Sequence, residues 1–170
     1  MCGIAGFVGK QNSMHEIINS MHSAIKHRGP DSSGSWVDTK IGIALGHQRL
    51  AIQDLSEAGH QPMRSPSCRF LITFNGEIYN HFEIREILQK LSTSPIAWNG
   101  HSDTETLVTA FDFIGIKKTL SLVKGMFALA VWDEKLKLLT LARDRLGEKP
   151  LFYGFQKNNL VFGSELKALK

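Results

Sequence analysis

Cys2 stands behind nothing but Met1, so removal of the initiator would put a thiol and a free α-amine on one residue. Together they form a nucleophile with its own base. Attack needs the thiolate, and an α-amine with a reference pKa of about 8 can take the proton directly or through one water. The small side chain after Met1 suits the aminopeptidase that would expose it. The following Gly3-Ile4-Ala5-Gly6-Phe7-Val8-Gly9 reads as a short buried strand whose small residues leave room for a substrate backbone. A cysteine this near a terminus also fits a purely structural role, so its chemistry depends on what the rest of the chain supplies.

Three further segments offer matching groups. Gly46-His47-Gln48-Arg49-Leu50-Ala51-Ile52 places a guanidinium at the end of an apolar strand, where Arg49 needs a partner and can grip a carboxylate through two parallel bonds. Phe74-Asn75-Gly76-Glu77 follows a buried run, so the Asn75 side chain and the Gly76 N–H come at its end as adjacent donors suited to an oxyanion. Asn-Gly is equally the commonest hairpin turn. Ser102-Asp103-Thr104-Glu105 opens a helix, where an acid favours the dipole whatever else it does. His27-Arg28-Gly29-Pro30-Asp31-Ser32-Ser33-Gly34 reads as a structured turn.

The elements that must position these groups are legible from periodicity. Met14, Ile17, Ile18, Met21 and Ile25 recur at helical spacing behind a Ser13/Glu16 capping box. Residues 81 to 91 repeat the pattern with Asn80 as N-cap, and residues 103 to 114 do so behind Ser102 and Glu105. Strand-like runs lie at 41–45, 69–74, 126–132, 136–142, 151–155 and 160–162, several joined by short polar turns. Hairpins dominate, and helices come in blocks rather than alternating with strands, which predicts an α+β layered domain with largely antiparallel sheets.

Composition sets mild bounds. A chain of 170 residues with 42% hydrophobic side chains suits one domain and one good core. Two distant cysteines give no disulfide framework, and no segment has the layout of a signal peptide or a membrane span, so a cytoplasmic location is expected. The net charge of +4 is scattered, without the basic stripe interleaved with aromatics that a nucleic-acid surface needs. Seven histidines are present, but none stands at metal-ligand spacing and neither CxxC nor HExxH occurs.

Taken in order, the segments resemble the glutaminase domain of class II glutamine amidotransferases, the N-terminal-nucleophile hydrolases, on the asparagine synthetase branch. The residues that carry the likeness are Cys2, Arg28-Gly29-Pro30-Asp31, His47-Gln48-Arg49-Leu50-Ala51-Ile52, Gln61-Pro62-Met63 and Asn75-Gly76-Glu77-Ile78-Tyr79-Asn80. The later Ala142-Arg143-Asp144-Arg145-Leu146-Gly147-Glu148-Lys149-Pro150 and Phe162-Gly163-Ser164-Glu165-Leu166-Lys167-Ala168-Leu169 are similar to the family too.

The resemblance implies a four-layer α/β/β/α sandwich with two antiparallel sheets over residues 1–170, a glutaminase domain lacking a following synthetase domain. It implies Cys2 as nucleophile, Asn75 and Gly76 as oxyanion hole, Arg49 on the α-carboxylate of L-glutamine, Asp103 on its α-ammonium, and Leu50, Ile52 and Glu77 as pocket lining. No metal or cofactor belongs to this half; ATP and magnesium would serve the synthetase domain, the expected partner, and a homodimer is compatible. Aspartate is the implied acceptor of the ammonia. A sugar acid of a polysaccharide pathway and a non-catalytic docking domain are the alternatives, although loss of Cys2 or Asn75 would mark the latter and both are present.

Overall fold

The computed structural model describes residues 1–52 and 54–170. Among the described residues, nine strands and four α-helices run β1 (Gly3–Val8), α1 (Met14–Ala24), β2 (Ser32–Asp38), β3 (Ile43–Arg49), β4 (Met63–Arg64), β5 (Phe70–Ile78), α2 (His81–Leu91), α3 (Asp103–Ile114), α4 (Ile116–Leu122), β6 (Gly125–Asp133), β7 (Leu138–Arg143), β8 (Phe152–Gln156) and β9 (Asn159–Gly163). They form a five-stranded sheet, β2-β3-β1-β9-β8, and a four-stranded sheet, β4-β5-β6-β7. Every pair of named strands is antiparallel.

The alternation of side chains along each strand builds the layers. On β5, Phe70, Ile72 and Phe74 face α2 and α3, where they meet Ile84, Leu88, Leu107, Val108 and Phe111. Leu71, one residue out of phase, faces the other sheet and joins Ile43 and Leu45 of β3, Trp132 of β6 and Phe162 of β9. The outer face of the five-stranded sheet carries Ala5, Phe7 and Ala44 against Met14, Ile18, Met21 and Ile25 of the α1 region. The order is therefore α1, sheet, sheet, α2 with α3, the expected sandwich. Truncating a fully buried member such as Ile18 to Ala would cost about 2–5 kcal/mol.

Local signals differ from the sequence expectation in four places. Ser13 adopts a left-handed conformation (φ 56°, ψ 39°) and its side chain caps nothing, so the capping box is absent, although its carbonyl still accepts from Ile17 N–H. Asn80 spends its amide elsewhere: Nδ2 donates to the Leu122 carbonyl and Oδ1 accepts from Lys124 N–H, tying the start of α2 to the link between α4 and β6. Ser102 does cap α3 by accepting from Glu105 N–H, but the Glu105 carboxylate turns to the N–H groups of Asn99 and Gly100. Asn75 and Gly76 lie inside β5, paired with Ala128 and Phe127, rather than at its end or in a turn. No helix among the described residues is long and apolar enough to cross a membrane.

Candidate active site

The two sheets part at one end over a cavity of about 180 Å³. That is roughly six times a water's share of liquid volume, room for a small metabolite. Cys2, Arg49, Leu50 and Ile52 line it from the five-stranded sheet and its following loop; Asn75, Gly76, Glu77 and Asp103 line it from β5 and the start of α3. All eight residues singled out in the sequence thus face one space, although Ile52 and Glu77 are exposed at its rim.

Register explains the first wall. Gly3 pairs with Gln48, so one step further brings Cys2 beside Arg49 on the inter-sheet side. The half-buried Cys2 Sγ accepts from Leu50 N–H (3.4 Å) and reaches the Leu50 carbonyl at 3.5 Å. The Arg28-Gly29-Pro30-Asp31 run splints this end. Arg28 Nε donates to the Cys2 carbonyl (3.0 Å), and Asp31 accepts from Ala51 N–H (2.8 Å). Gly29 lies so close to β3 that a Cβ there would come within 2.4 Å of the Gln48 carbonyl, a contact only glycine avoids. Burial pushes the Glu165 carboxyl up, but hydrogen bonds from Arg28, Lys167 and His27 outweigh it and hold it at about 2, which keeps Arg28 paired.

Arg49 is buried, donates to the Asp54 carbonyl, and forms no ion pair among the described residues. A Cβ on Gly59 would stand 2.3 Å from its Nη2, so glycine leaves the space this guanidinium occupies. A buried guanidinium without a carboxylate is chemically incomplete and suits an anionic ligand.

The second wall is an open strand edge. Beyond the two-residue β4, the even residues of β5 point their backbone groups away from β6, and side chains complete them one by one. Phe74 N–H donates to Gln61 Oε1 (2.7 Å), the Phe74 carbonyl accepts from His47 Nε2 (3.1 Å), and Ile78 N–H donates to Asp103 (2.8 Å). By the same alternation the Gly76 N–H points into the cavity between them. Beside it the Asn75 Nδ2 is buried and has no hydrogen-bond partner among the described residues. Burial lowers the His47 pKa to about 3, so the ring is neutral, and the carbonyl it meets assigns its proton to Nε2.

Burial raises the Asp103 carboxyl to about 6; the Ile78 and Thr104 hydrogen bonds oppose that rise and the nearby Glu77 charge adds to it. The sequence reading passed over Asp54 and Gly59, quoted Thr104 only as part of a helix start, and quoted Gln61 and Lys149 only as parts of family runs; all five line the cavity. The Gln-Pro-Met run and the run ending in Lys149-Pro150 gave the local signals for Gln61 and Lys149.

The cavity led by Cys2 between two antiparallel sheets, with adjacent donors and opposed charges around it, belongs to a class of domain, the glutamine amidotransferases. The chain belongs to the glutamine amidotransferase domain family, which it matches over residues 1–170. It is 38% identical over 187 residues to a putative glutamine-hydrolyzing asparagine synthetase 2 of Methanocaldococcus jannaschii, covering 99% of this chain and 35% of that protein. It is 37% identical over 174 residues to the glutamine-hydrolyzing asparagine synthetase 2 of Bacillus subtilis, covering 99% of this chain and 22% of that one. The chain thus spans about a third or less of these relatives. The glutamine phosphoribosylpyrophosphate amidotransferase of Bacillus subtilis, solved with ADP and GMP, has the same fold, with a TM-score of 0.81 at 23% identity over 99% of this chain and 43% of that chain.

Proposed function

We propose that this domain hydrolyses L-glutamine to glutamate and ammonia through a Cys2 thioester, and that it supplies the ammonia to a synthetase domain that makes asparagine. The observation that carries the first half is the unpartnered, buried Asn75 Nδ2 beside the Gly76 N–H in the cavity that holds the Cys2 sulfur. Two donors left unmet where charge would develop are what a tetrahedral oxyanion needs.

The Arg49 guanidinium takes the substrate α-carboxylate and Asp103 its α-ammonium, which selects a free amino acid and holds the side-chain amide at Cys2. With Met1 removed, the α-amine takes the thiol proton, the Cys2 Sγ–carbon bond forms, and the carbonyl oxygen becomes the oxyanion. The proton passes to the leaving nitrogen as the carbon–nitrogen bond breaks and ammonia departs. Water then cleaves the thioester to glutamate and returns a proton to the sulfur. No cofactor enters these steps. The length and names of the relatives support a synthetase partner; in this reading that partner uses ATP and magnesium and acts on aspartate.

The test is glutamate release from glutamine by protein whose intact mass shows Met1 removed. Cys2→Ala should bring release to background, and Asn75→Ala should lower kcat on the order of 10² to 10³-fold. Turnover by protein that retains Met1 in full, or an unchanged kcat in Asn75→Ala, would contradict the mechanism.

A further inference from the structure

Asp54 lines the cavity, and the steps above leave it unused. Its backbone carbonyl accepts from Arg49 Nη2. Its carboxylate has other partners: Oδ1 accepts from the Ser56 N–H (2.9 Å) and hydroxyl (2.6 Å), and Oδ2 accepts from the His101 N–H (3.0 Å). His101 stands just before Asp103 at the start of α3, so one residue ties the loop after β3 to the segment that opens α3. The far side of the tie is fixed. Glu105 accepts from the N–H groups of Asn99 (2.6 Å) and Gly100 (3.0 Å), and Arg85 of α2 donates to the carbonyls of Gly100 (3.2 Å) and Ser102 (3.1 Å). A Cβ on Gly100 would stand 2.4 Å from Asp54 Oδ2, so the loop rests directly on this backbone. Hydrogen bonds from Ser56 and His101 hold the Asp54 carboxyl down at about 2, and the tie is charged at neutral pH.

From this geometry we infer that Asp54 is a positioning residue acting through Arg49: it fixes the guanidinium of one wall at a set span from the Asp103 carboxylate of the other, the span between the α-groups of a single amino acid. An Arg stem is long and rich in rotamers, so a firm grip on a small ligand needs the head fixed beforehand. A carbonyl does this without neutralising the charge. It takes one of the five N–H groups of the guanidinium and leaves others to meet a carboxylate in parallel. The Asp54 carboxylate would compete with a ligand for those groups, and Ser56 and His101 turn it aside. Because Arg49 and Asp103 stand on different walls, neither sheet alone can set the distance between them; the bond from His101 to Asp54 crosses that gap.

The inference rests on Arg49 taking the α-carboxylate of glutamine, as proposed above, so each protein is assayed on two amides: L-glutamine and 4-aminobutanamide, which is glutamine without that carboxylate. Asp54→Ala removes the tie but keeps the carbonyl. It should raise KM for glutamine about tenfold with kcat little changed, and move kcat/KM for 4-aminobutanamide by less than about twofold. Asp54→Asn, which keeps an oxygen for His101 or Ser56, should recover most of the lost KM. Gly100→Ala, whose methyl group would displace the Asp54 carboxylate, should repeat the Asp54→Ala pattern from a position that does not line the cavity. A KM unmoved in Asp54→Ala and Gly100→Ala, or equal losses on both amides as a general loosening of the fold would give, overturns the role. Arg49→Ala separates the two readings. Equal losses on both amides in that variant would remove the carboxylate from Arg49 and overturn the proposed binding mode, whereas a loss confined to glutamine leaves that mode standing whatever Asp54 does.

Discussion

Asp103 is held by its fold in a way that favours the neutral acid, while the proposed reaction needs the carboxylate. Burial raises its pKa to about 6, against an ordinary value of 3.8. A raised acid binds its proton more tightly folded than unfolded. It therefore subtracts stability as pH rises from about 4 to 6, and the loss is complete above 6. Asp103→Asn, which still offers an oxygen to Ile78 N–H, should raise stability at pH 7 by up to about 3 kcal/mol and leave stability at pH 3 nearly unchanged. The same change should cut kcat/KM for glutamine on the order of 10²-fold by leaving the α-ammonium unpaired. In the parent protein kcat/KM should fall below pH 6, whereas kcat should hold to lower pH because bound ammonium lowers the Asp103 pKa. Denaturant melts at both pH values and pH–rate profiles check these outcomes; coincident limbs in kcat and kcat/KM would remove the substrate ammonium from Asp103.

At the scale of elements, β5 works because its neighbour β4 is so short. A longer β4 would pair the Gly76 N–H and close the cavity; a bare edge would leave the backbone groups of Phe74 and Ile78 unmet and poorly fixed. Gln61, His47 and Asp103 complete that edge with side chains. Gln61 is the most informative to remove, since its Oε1 holds Phe74 N–H while its Nε2 reaches Thr104 Oγ1 at 3.3 Å. Gln61→Met leaves a buried N–H without an acceptor, at a cost of about 1–3 kcal/mol. The strand then no longer fixes Asn75 and Gly76 against Cys2, so kcat should drop about tenfold or more with KM nearly unchanged, because Arg49 and Asp103 still hold the substrate. Steady-state kinetics with a thermal melt decide the point, and a raised KM at constant kcat would make Gln61 a binding residue.

For the whole molecule, the sandwich contains one end that does chemistry and one side that is left apolar. Phe152, Tyr153 and Phe155 on the edge strand β8, with Leu146 in the preceding loop, are all exposed, an arrangement that suits a surface covered by other protein. The sequence holds no G-x-x-x-x-G-K-[ST] loop and no Ser-Gly-Gly run. A polypeptide of these 170 residues, given glutamine, aspartate, ATP and magnesium, should therefore release glutamate and free ammonia at a rate independent of ATP. Asparagine and AMP among the products would show that the acceptor chemistry lies within it.

Cys2, Arg49, Asn75, Gly76 and Asp103 were readable as candidates because each sits in a short run whose chemistry is local: a terminal thiol, a lone guanidinium in an apolar strand, adjacent donors, an acid at a helix start. The three longer helices and most strands were readable for the same reason, since burial of one face imprints a period on the sequence. The half-buried edge strand β2, at Ser32–Asp38, was hidden inside a polar run, and α4 was too short to show a period. Only the tertiary structure decided that Asn75 and Gly76 stay inside β5, because their pairing with β6 overrides the turn preference of Asn-Gly. It alone brought Gln61, Asp54 and Lys149 to the cavity. The roles of Gln61 and Asp54 depend on loops folding back across two sheets, and a side chain that completes a distant strand edge, or ties two loops across a cavity, leaves no period or spacing along its own segment.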